Sequence, residues 1–405
     1  MDSQIVQEIL LMTSLIFLGG MLGGAISEKI KLPDVVLYLL VGIFFGPYGI
    51  DILNLGSSSL TVKLILTTGT AFILYLGGRE IKLKIVKKVW LTITLLATVG
   101  VLISTLVVAV SSKLLLGMPI AVALLLGAIL APTDPATLVP IFQKCSIKRK
   151  LTQTITSESA FNDAVGSVLF FTFLSIITSN HLNIAHSFIL FFKDISFGIL
   201  AGILLGVFGT FFISQSSYGF LKNFSPIMSI FVALTSYLVA EYIGGSGFMA
   251  SFVAGMICGN KLSLGLKCDL KNRRVQEEVN ETFGLILRMM IFIVLGTMID
   301  FEILLNNFWI HLLIIAIFIF IARPLTVFAS TYFDKKSDWS LNELIFMSWI
   351  RETGVMPAAL TGMLMEFEIP YIDHIVAISF MTIIITLLLQ ATTTNLVAKK
   401  LNLME

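Results

Sequence analysis

Charge is what this sequence has least of. Only 13% of its 405 residues are Asp, Glu, Lys or Arg, while 57% are hydrophobic and the mean hydropathy is +0.96. A soluble domain carries about 25% charged residues, so a water-soluble fold is excluded at the level of composition. Cysteine is nearly as scarce. Cys145, Cys258 and Cys268 have no metal-ligand spacing and give no disulfide framework. The four histidines, His181, His186, His311 and His374, are scattered and read as forming no cluster. There is no nucleotide loop, no metal cluster and no catalytic triad, so no enzyme and no cofactor is expected. The net charge of +2 offers no argument for a nucleic-acid partner. Asp2 and Glu8 stand where a signal peptide would have a basic leader, which argues against one.

What is abundant is the long apolar run. Segments of about 20 apolar residues, the length that crosses a bilayer, recur from end to end. Runs such as VLISTLVVAV and IIITLLL are apolar on nearly every side, as helices in lipid are. The alternation that a membrane β-barrel needs is missing. We expect one all-α polytopic membrane domain over 1–405 with thirteen transmembrane helices. They lie roughly at 5–26, 33–46, 59–78, 89–110, 119–143, 151–178, 187–214, 225–243, 245–260, 277–299, 306–331, 340–365 and 371–397. Pro33 suits a first helical residue because it has no donor to leave unpaired.

Basic residues sort onto alternate loops. One set holds Lys29, Lys31, Arg79, Lys82, Lys84, Lys87, Lys88, Lys144, Lys148, Arg149, Lys150 and Lys222. It continues through Lys261, Lys267, Lys271, Arg273, Arg274, Lys335, Lys336, Lys399 and Lys400. The other set has little beyond Lys63, Lys113 and Lys193, among acids such as Asp51, Asp300, Glu302, Glu366, Glu368 and Asp373. The positive-inside rule then puts the chain in the cell (inner) membrane with its N-terminus outside and its C-terminus in the cytoplasm. An odd helix count is required for that.

Few charges remain at membrane depth: Asp134, Glu158, Asp163, Arg288, Arg323, Arg351 and Glu352. Each costs several kcal/mol unless paired or hydrated, so each is either functional or part of a structural ion pair. In the fifth helix, Ala131-Pro132-Thr133-Asp134-Pro135-Ala136-Thr137 places two prolines three residues apart. They remove two backbone donors and open the helix, which is tolerated at that depth only beside a cavity or inside protein. In the next helix, Glu158-Ser159-Ala160-Phe161-Asn162-Asp163 stacks Glu158 over Asn162 and Ser159 over Asp163 on adjoining strips. Two carboxylates, a hydroxyl and an amide then face one side. In the twelfth helix Gly354 and Pro357 interrupt Arg351-Glu352-Thr353-Gly354-Val355-Met356-Pro357. Interrupted helices in corresponding places of the two halves point to an inverted-repeat transporter with its site at their meeting. Arg323, in the eleventh helix, needs a carboxylate, and Glu158 is the candidate. Asp163 would then be the single exchangeable acid: an acid that takes a proton or a cation, but not both, gives exchange by competition.

TDPATLV followed by SESAFNDAVGSVLF, with GGSGFMASFVAGMICGN, FIVLG and ARP, resembles the NhaP-type branch of the monovalent cation/proton antiporters. The resemblance runs over nearly the whole chain. It implies thirteen helices, a homodimer formed through a scaffold domain, and a six-helix core with two crossed discontinuous helices. That division puts core elements at about 89–178 and 306–397, and scaffold elements at about 1–78 and 187–299. It implies that Asp163 binds the cation and the proton and that Thr133 and Ser159 add oxygen donors to transported Na+. Asn162 would support the crossing, Asp134 would lie beside it, and Glu158 would pair with Arg323. An Asn-Asp pair goes with electroneutral one-for-one exchange. Relatives often carry an arginine directly before the glycine of the twelfth helix, where this chain has Thr353; Arg351 lies two residues earlier.

The expected function is Na+/H+ or Li+/H+ antiport by alternating access. A K+/H+ antiporter of the same fold is the first alternative, because oxygen ligands alone do not separate Na+ from K+. A gated cation channel is the second, and no filter-like TVGYG repeat supports it. An organic-anion transporter would need arginines unpaired by acids. Arg288 reads as the partner of a helix-end acid or a dimer contact, Glu80 as a solvated helix end or a guard of the cytoplasmic funnel. The basic clusters read as topology and lipid contacts. The GGMLGG run at 19–24 reads as close helix packing.

Overall fold

The computed structural model describes residues 2–30, 32–53, 60–134, 142, 147–179, 184–214, 220–261 and 270–404. Outside them lie Pro135, Ala136 and Thr137, the rest of the fifth helix to 143 except Phe142, and Cys145, Cys268 and His181. Among the described residues nine helices are long and apolar enough to cross a membrane, and four shorter apolar helices join them. These thirteen are α1 (Asp2–Ile30), α2 (Asp34–Phe45), α3 (Leu60–Glu80), α4 (Leu83–Leu95 continuing to Leu116), α5 (Ile120–Leu130) and α6 (Arg149–Ser179). They continue as α7 (Ile184–Phe212), α8 (Ser225–Tyr242), α9 (Gly247–Gly259), α10 (Leu270–Thr297), α11 (Phe308–Ile317 continuing to Tyr332), α12 and α13 (Ile372–Thr386 continuing to Lys400). The twelfth is two pieces, α12a (Leu341–Trp349) and α12b (Val355–Leu364), separated by five residues without helical structure. Each expected helix has a counterpart among the described residues, the fifth only as Ile120–Leu130, and Pro33 precedes the first helical residue of α2 instead of being it.

Large apolar side chains such as Leu60, Leu204 and Leu238 cover the outside, a surface that suits lipid and not water. Polar side chains are drawn inward: Asp163, Glu158, Arg323, Arg351 and Glu352 are all buried. Helix ends are satisfied locally. Ser340 opens α12a with a capping box, its hydroxyl accepting from the Glu343 N–H and the Glu343 carboxylate from the Ser340 N–H. Asp334, in the loop before it, accepts from the Thr92 N–H at 3.1 Å and hydroxyl at 2.6 Å and from the Ser337 hydroxyl at 2.6 Å. Burial by itself raises the Asp334 carboxyl, and these donors outweigh it and hold the group below the ordinary carboxylate range.

Packing sorts the helices into neighbourhoods. α9 lies against α3, α7 and α8, and α10 against α1, α2, α3 and α8. α5 lies between α4 and α6, while α11 packs on α4 and α13. α12b touches both groups, meeting α3 and α10 on one side and α13 on the other. The α3–α9 contact is close because a Cβ on Gly255 would fall on the Tyr75 carbonyl oxygen and one on Gly78 on that of Phe252. α4, α11 and α13 each contain one π-helical turn, at Leu96–Gly100, Phe318–Ala322 and Leu387–Ala391, a distortion common at functional sites.

Candidate functional site

α5 loses its backbone ladder at Pro132, so carbonyls and amides are exposed in the middle of the bundle. α6 meets that need with side chains. Asn162 accepts the Thr133 N–H at 3.2 Å on its Oδ1 and donates from Nδ2 to the Thr133 hydroxyl at 3.0 Å. The Ser159 hydroxyl donates to the Thr133 carbonyl at 2.7 Å and accepts from the Thr133 hydroxyl at 2.9 Å. Two residues of one helix thus replace the partners that a continuous helix would have supplied.

The break in α12 faces the break in α5. The Asp134 N–H donates to the Glu352 carbonyl at 2.8 Å, and Arg351 Nη2 donates to the Ala131 carbonyl at 2.9 Å. Arg351 also lies over the Phe318 ring, 4.5 Å from its centroid. Thr353, where the resemblance leads one to look for arginine, bonds instead to Thr386 of α13, 2.9 Å between hydroxyls. The Asp134 carboxylate rests against the Gly354 backbone at the start of α12b; a Cβ on Gly354 would fall on its Oδ2. A carboxylate there is favoured by the positive end of the helix dipole.

Glu158 and Arg323 form an ion pair with both guanidinium nitrogens engaged, the Nη2–Oε2 arm at 2.9 Å and the Nη1–Oε1 arm shorter. Their side chains are 2% and 1% exposed, so neither could be charged without the other. Arg323 Nε goes on to the carbonyls of Met347 and Ile350, at 2.9 and 3.2 Å. The arginine therefore neutralises Glu158 and caps the C-terminal end of α12a with one group.

Asp163 stands apart. It lines a cavity of about 400 Å³ together with Thr133, Asp134, Glu80, Glu281, Arg288 and Met356. Its carboxylate is buried, and its Oδ1 meets no hydrogen-bond donor among the described residues. An acid of this kind, beside hydroxyl and carbonyl oxygens and open to a water-sized passage, can hold either a proton or a hard cation.

The α6 cluster does not present one face, as the i, i+4 spacing suggests. At 3.6 residues per turn, Glu158 and Asp163 are about 140° apart. Glu158 turns to α11, Ser159 and Asn162 to the α5 break, and Asp163 to the cavity, while Phe161 packs edge-on against Phe252 of α9. The structure brings together Thr133, Asp134, Ser159, Asn162 and Asp163, and sets Glu158, Arg323 and Arg351 behind them. Sequence reasoning passed over Glu281. Its signal was available: Glu281, Gly284, Leu285 and Arg288 follow one face of α10. Glu80 lines the mouth of the cavity as well as an adjoining pocket with Lys82, Lys261 and Asn280. Arg288 pairs with a helix-end acid, Asp34. No group of three or more His, Cys, Asp or Glu that could hold a metal occurs among the described residues, but two of the histidines do meet: His311 Nε2 and His374 Nδ1 lie 3.0 Å apart where α11 meets α13. Helices distant in sequence supplied that contact.

The family model described as sodium/hydrogen exchanger, transmembrane, matches residues 13–400. A protein of Methanocaldococcus jannaschii named probable Na(+)/H(+) antiporter 2 is 28% identical, over 86% of this chain and 83% of its own length. The K(+)/H(+) antiporter NhaP of Alkalimonas amylolytica is 26% identical, over 97% of this chain and 67% of its own. Among solved structures, the sodium proton antiporter MjNhaP1 of M. jannaschii at pH 8 superposes with a TM-score of 0.82 at 27% identity, covering 97% of this chain and 99% of that one.

Proposed function

The chain belongs to the sodium/hydrogen exchanger family of membrane antiporters, and from that premise we propose that it exchanges Na+ or Li+ for H+ at Asp163. The observation that carries this is the contrast between the two acids of α6. Glu158 is saturated by Arg323, while Asp163 keeps an oxygen without a donor among the described residues, in a cavity beside Thr133 and Asp134. Asp163 alternates between a proton and a cation. Thr133 and Ser159 contribute oxygens when the cation is bound. Asn162 keeps the α5 break open, and Arg351 holds the Ala131 carbonyl so that the two breaks stay in register. One exchangeable carboxylate supports electroneutral one-for-one exchange.

The same reading assigns 89–178 and 306–397 to a moving core and 1–78 and 187–299 to a scaffold through which two copies pair. The loops around Arg79, Lys148, Lys222 and Lys336 face the cytoplasm by the positive-inside rule. On this reading the cavity opens toward that face: Glu80 at its mouth ends α3 beside Arg79, and Glu281 lies in the half of α10 that begins near Arg273 and Arg274. K+ in place of Na+ is the second reading, favoured by the likeness to a K+/H+ antiporter.

Proton flux in proteoliposomes holding an imposed pH gradient tests it. Na+, Li+ and K+ are added in turn to the wild type and to Asp163→Asn. Collapse of the gradient by Na+ or Li+ in the wild type alone is the expected result. Collapse by K+ alone keeps the mechanism and changes the substrate. A variant as active as the wild type, or no cation-driven proton movement at all, rejects Asp163 as the exchange site.

A further inference from the structure

The wall of the Asp163 cavity carries a group that cation binding does not call for. α10 presents Glu281, Gly284, Leu285 and Arg288 to it, so a guanidinium lines the same space as Asp163, Asp134 and Glu80. A resident positive charge opposes a second cation, and the low dielectric of the bundle carries that repulsion further than water would. Arg288 is not loose, however. Its Nη2 lies 3.3 Å from Oδ2 of Asp34, the first residue of α2, and the two side chains are 21% and 28% exposed. That degree of exposure leaves the pair able to separate, unlike the sealed Glu158–Arg323 pair. The other Asp34 oxygen accepts the Val35 N–H at 3.0 Å, so the first turn of α2 holds the carboxylate and the arginine follows it.

We infer that the Asp34–Arg288 pair sets the cation affinity of the cavity. Asp34 neutralises the guanidinium and keeps it against α2, which leaves the carboxylates inside for the transported ion. Without Asp34, Arg288 is a tethered cation among those carboxylates and competes with the ion for them. Both residues act by position: neither exchanges a proton or binds the ion, and their effect falls on affinity and not on turnover. A pair that merely joined α2 to α10 would cost stability when broken and leave KM and maximal rate unsplit.

The test is exchange kinetics in proteoliposomes, titrating whichever of Na+, Li+ or K+ drives exchange in the wild type. Asp34→Asn is expected to raise KM roughly tenfold with maximal rate within about twofold, the order of effect that a unit charge exerts across about 10 Å at an effective dielectric of about 20. Asp34→Glu keeps the charge and the wild-type KM. Asp34→Asn/Arg288→Gln returns KM to the wild-type value, and Arg288→Gln alone leaves it there or below. An unchanged KM in Asp34→Asn, or a double variant as impaired as the single one, overturns the proposal. If Asp34→Asn does not fold, Arg288→Gln decides, and a raised KM in it also overturns the proposal. The inference rests on the cavity being the path of the ion, and the two readings fail separately. Exchange surviving in Asp163→Asn removes the site; a flat response to Asp34→Asn with Asp163→Asn inactive removes only the pair.

Discussion

At Thr133 the break in α5 is held by neutral groups from one neighbouring helix, whereas the break in α12 is held largely by charge and from three sides. Ser159 and Asn162 of α6 tie Thr133 with hydroxyl and amide bonds. The α12 break uses Arg323 from α11, Thr386 from α13 and its own Arg351 turned onto Ala131. Neutral hydrogen bonds are worth about 1 kcal/mol each and exchange readily, while bonds to a charged group are about twice as strong. The weaker fastening sits on the side that lines the cavity, where an arriving ion must find oxygens able to turn toward it. The stronger sits behind, where a buried arginine and glutamate lock the frame. The bundle thus separates the groups that answer the ion from the ion pair that holds the frame around them.

That contrast can be broken most severely at Arg323. Arg323→Gln leaves Glu158 buried and unpaired and uncaps α12a, and is expected to cost about 3–5 kcal/mol; thermal unfolding in detergent, read by intrinsic fluorescence, measures it. Pairing it with Glu158→Gln should recover part of the loss, and a double variant no better than the single one would show that the salt bridge is not the cause. Gly354→Ala sharpens the comparison at the point where the breaks touch. The added methyl occupies the place of the Asp134 carboxylate, so exchange should fall at least about tenfold while stability drops by about 1–3 kcal/mol. Wild-type transport in that variant would mean that Asp134 has room the structure does not show. Ser159→Ala gives the smallest effect. It removes one donor to the Thr133 carbonyl, costs about 0.5–1.5 kcal/mol, and should raise KM for the cation with transport retained. If Ser159→Ala unfolds the protein as Arg323→Gln does, the two breaks are fastened alike and the distinction fails.

The helices were legible because lipid imposes a length: about 20 apolar residues cross it, and charge collects at the ends. α2 and α9 are shorter, yet Pro33 and the glycines at 244, 245 and 247 mark where they begin. The interruptions were legible from Pro132, Gly354 and Pro357, since proline and glycine weaken a helix wherever they stand. The Glu158–Arg323 partnership followed from the expense of an unpaired arginine at depth. The division of the α6 residues among three surroundings did not, because a spacing of four names neighbours on a helix and says nothing about what each strip faces. The His311–His374 contact joins residues 63 apart, and no local rule reaches that far. The π turns of α4, α11 and α13 leave no mark in composition, as they answer to neighbours and not to propensity.

What the sequence by itself determined is the bilayer, the number of crossings, the two places where helices open, and the short list of charges worth burying. Each follows from a cost that acts on one segment alone: desolvating a charge, or losing a backbone donor. Which of two carboxylates on one helix is silenced, and which is left facing a cavity, was decided by where α11 sets down Arg323 and where α3 and α10 leave a space. So was the company of Arg288, held by an aspartate of α2. These depend on distances between segments far apart in the chain, and only the packed bundle sets those distances.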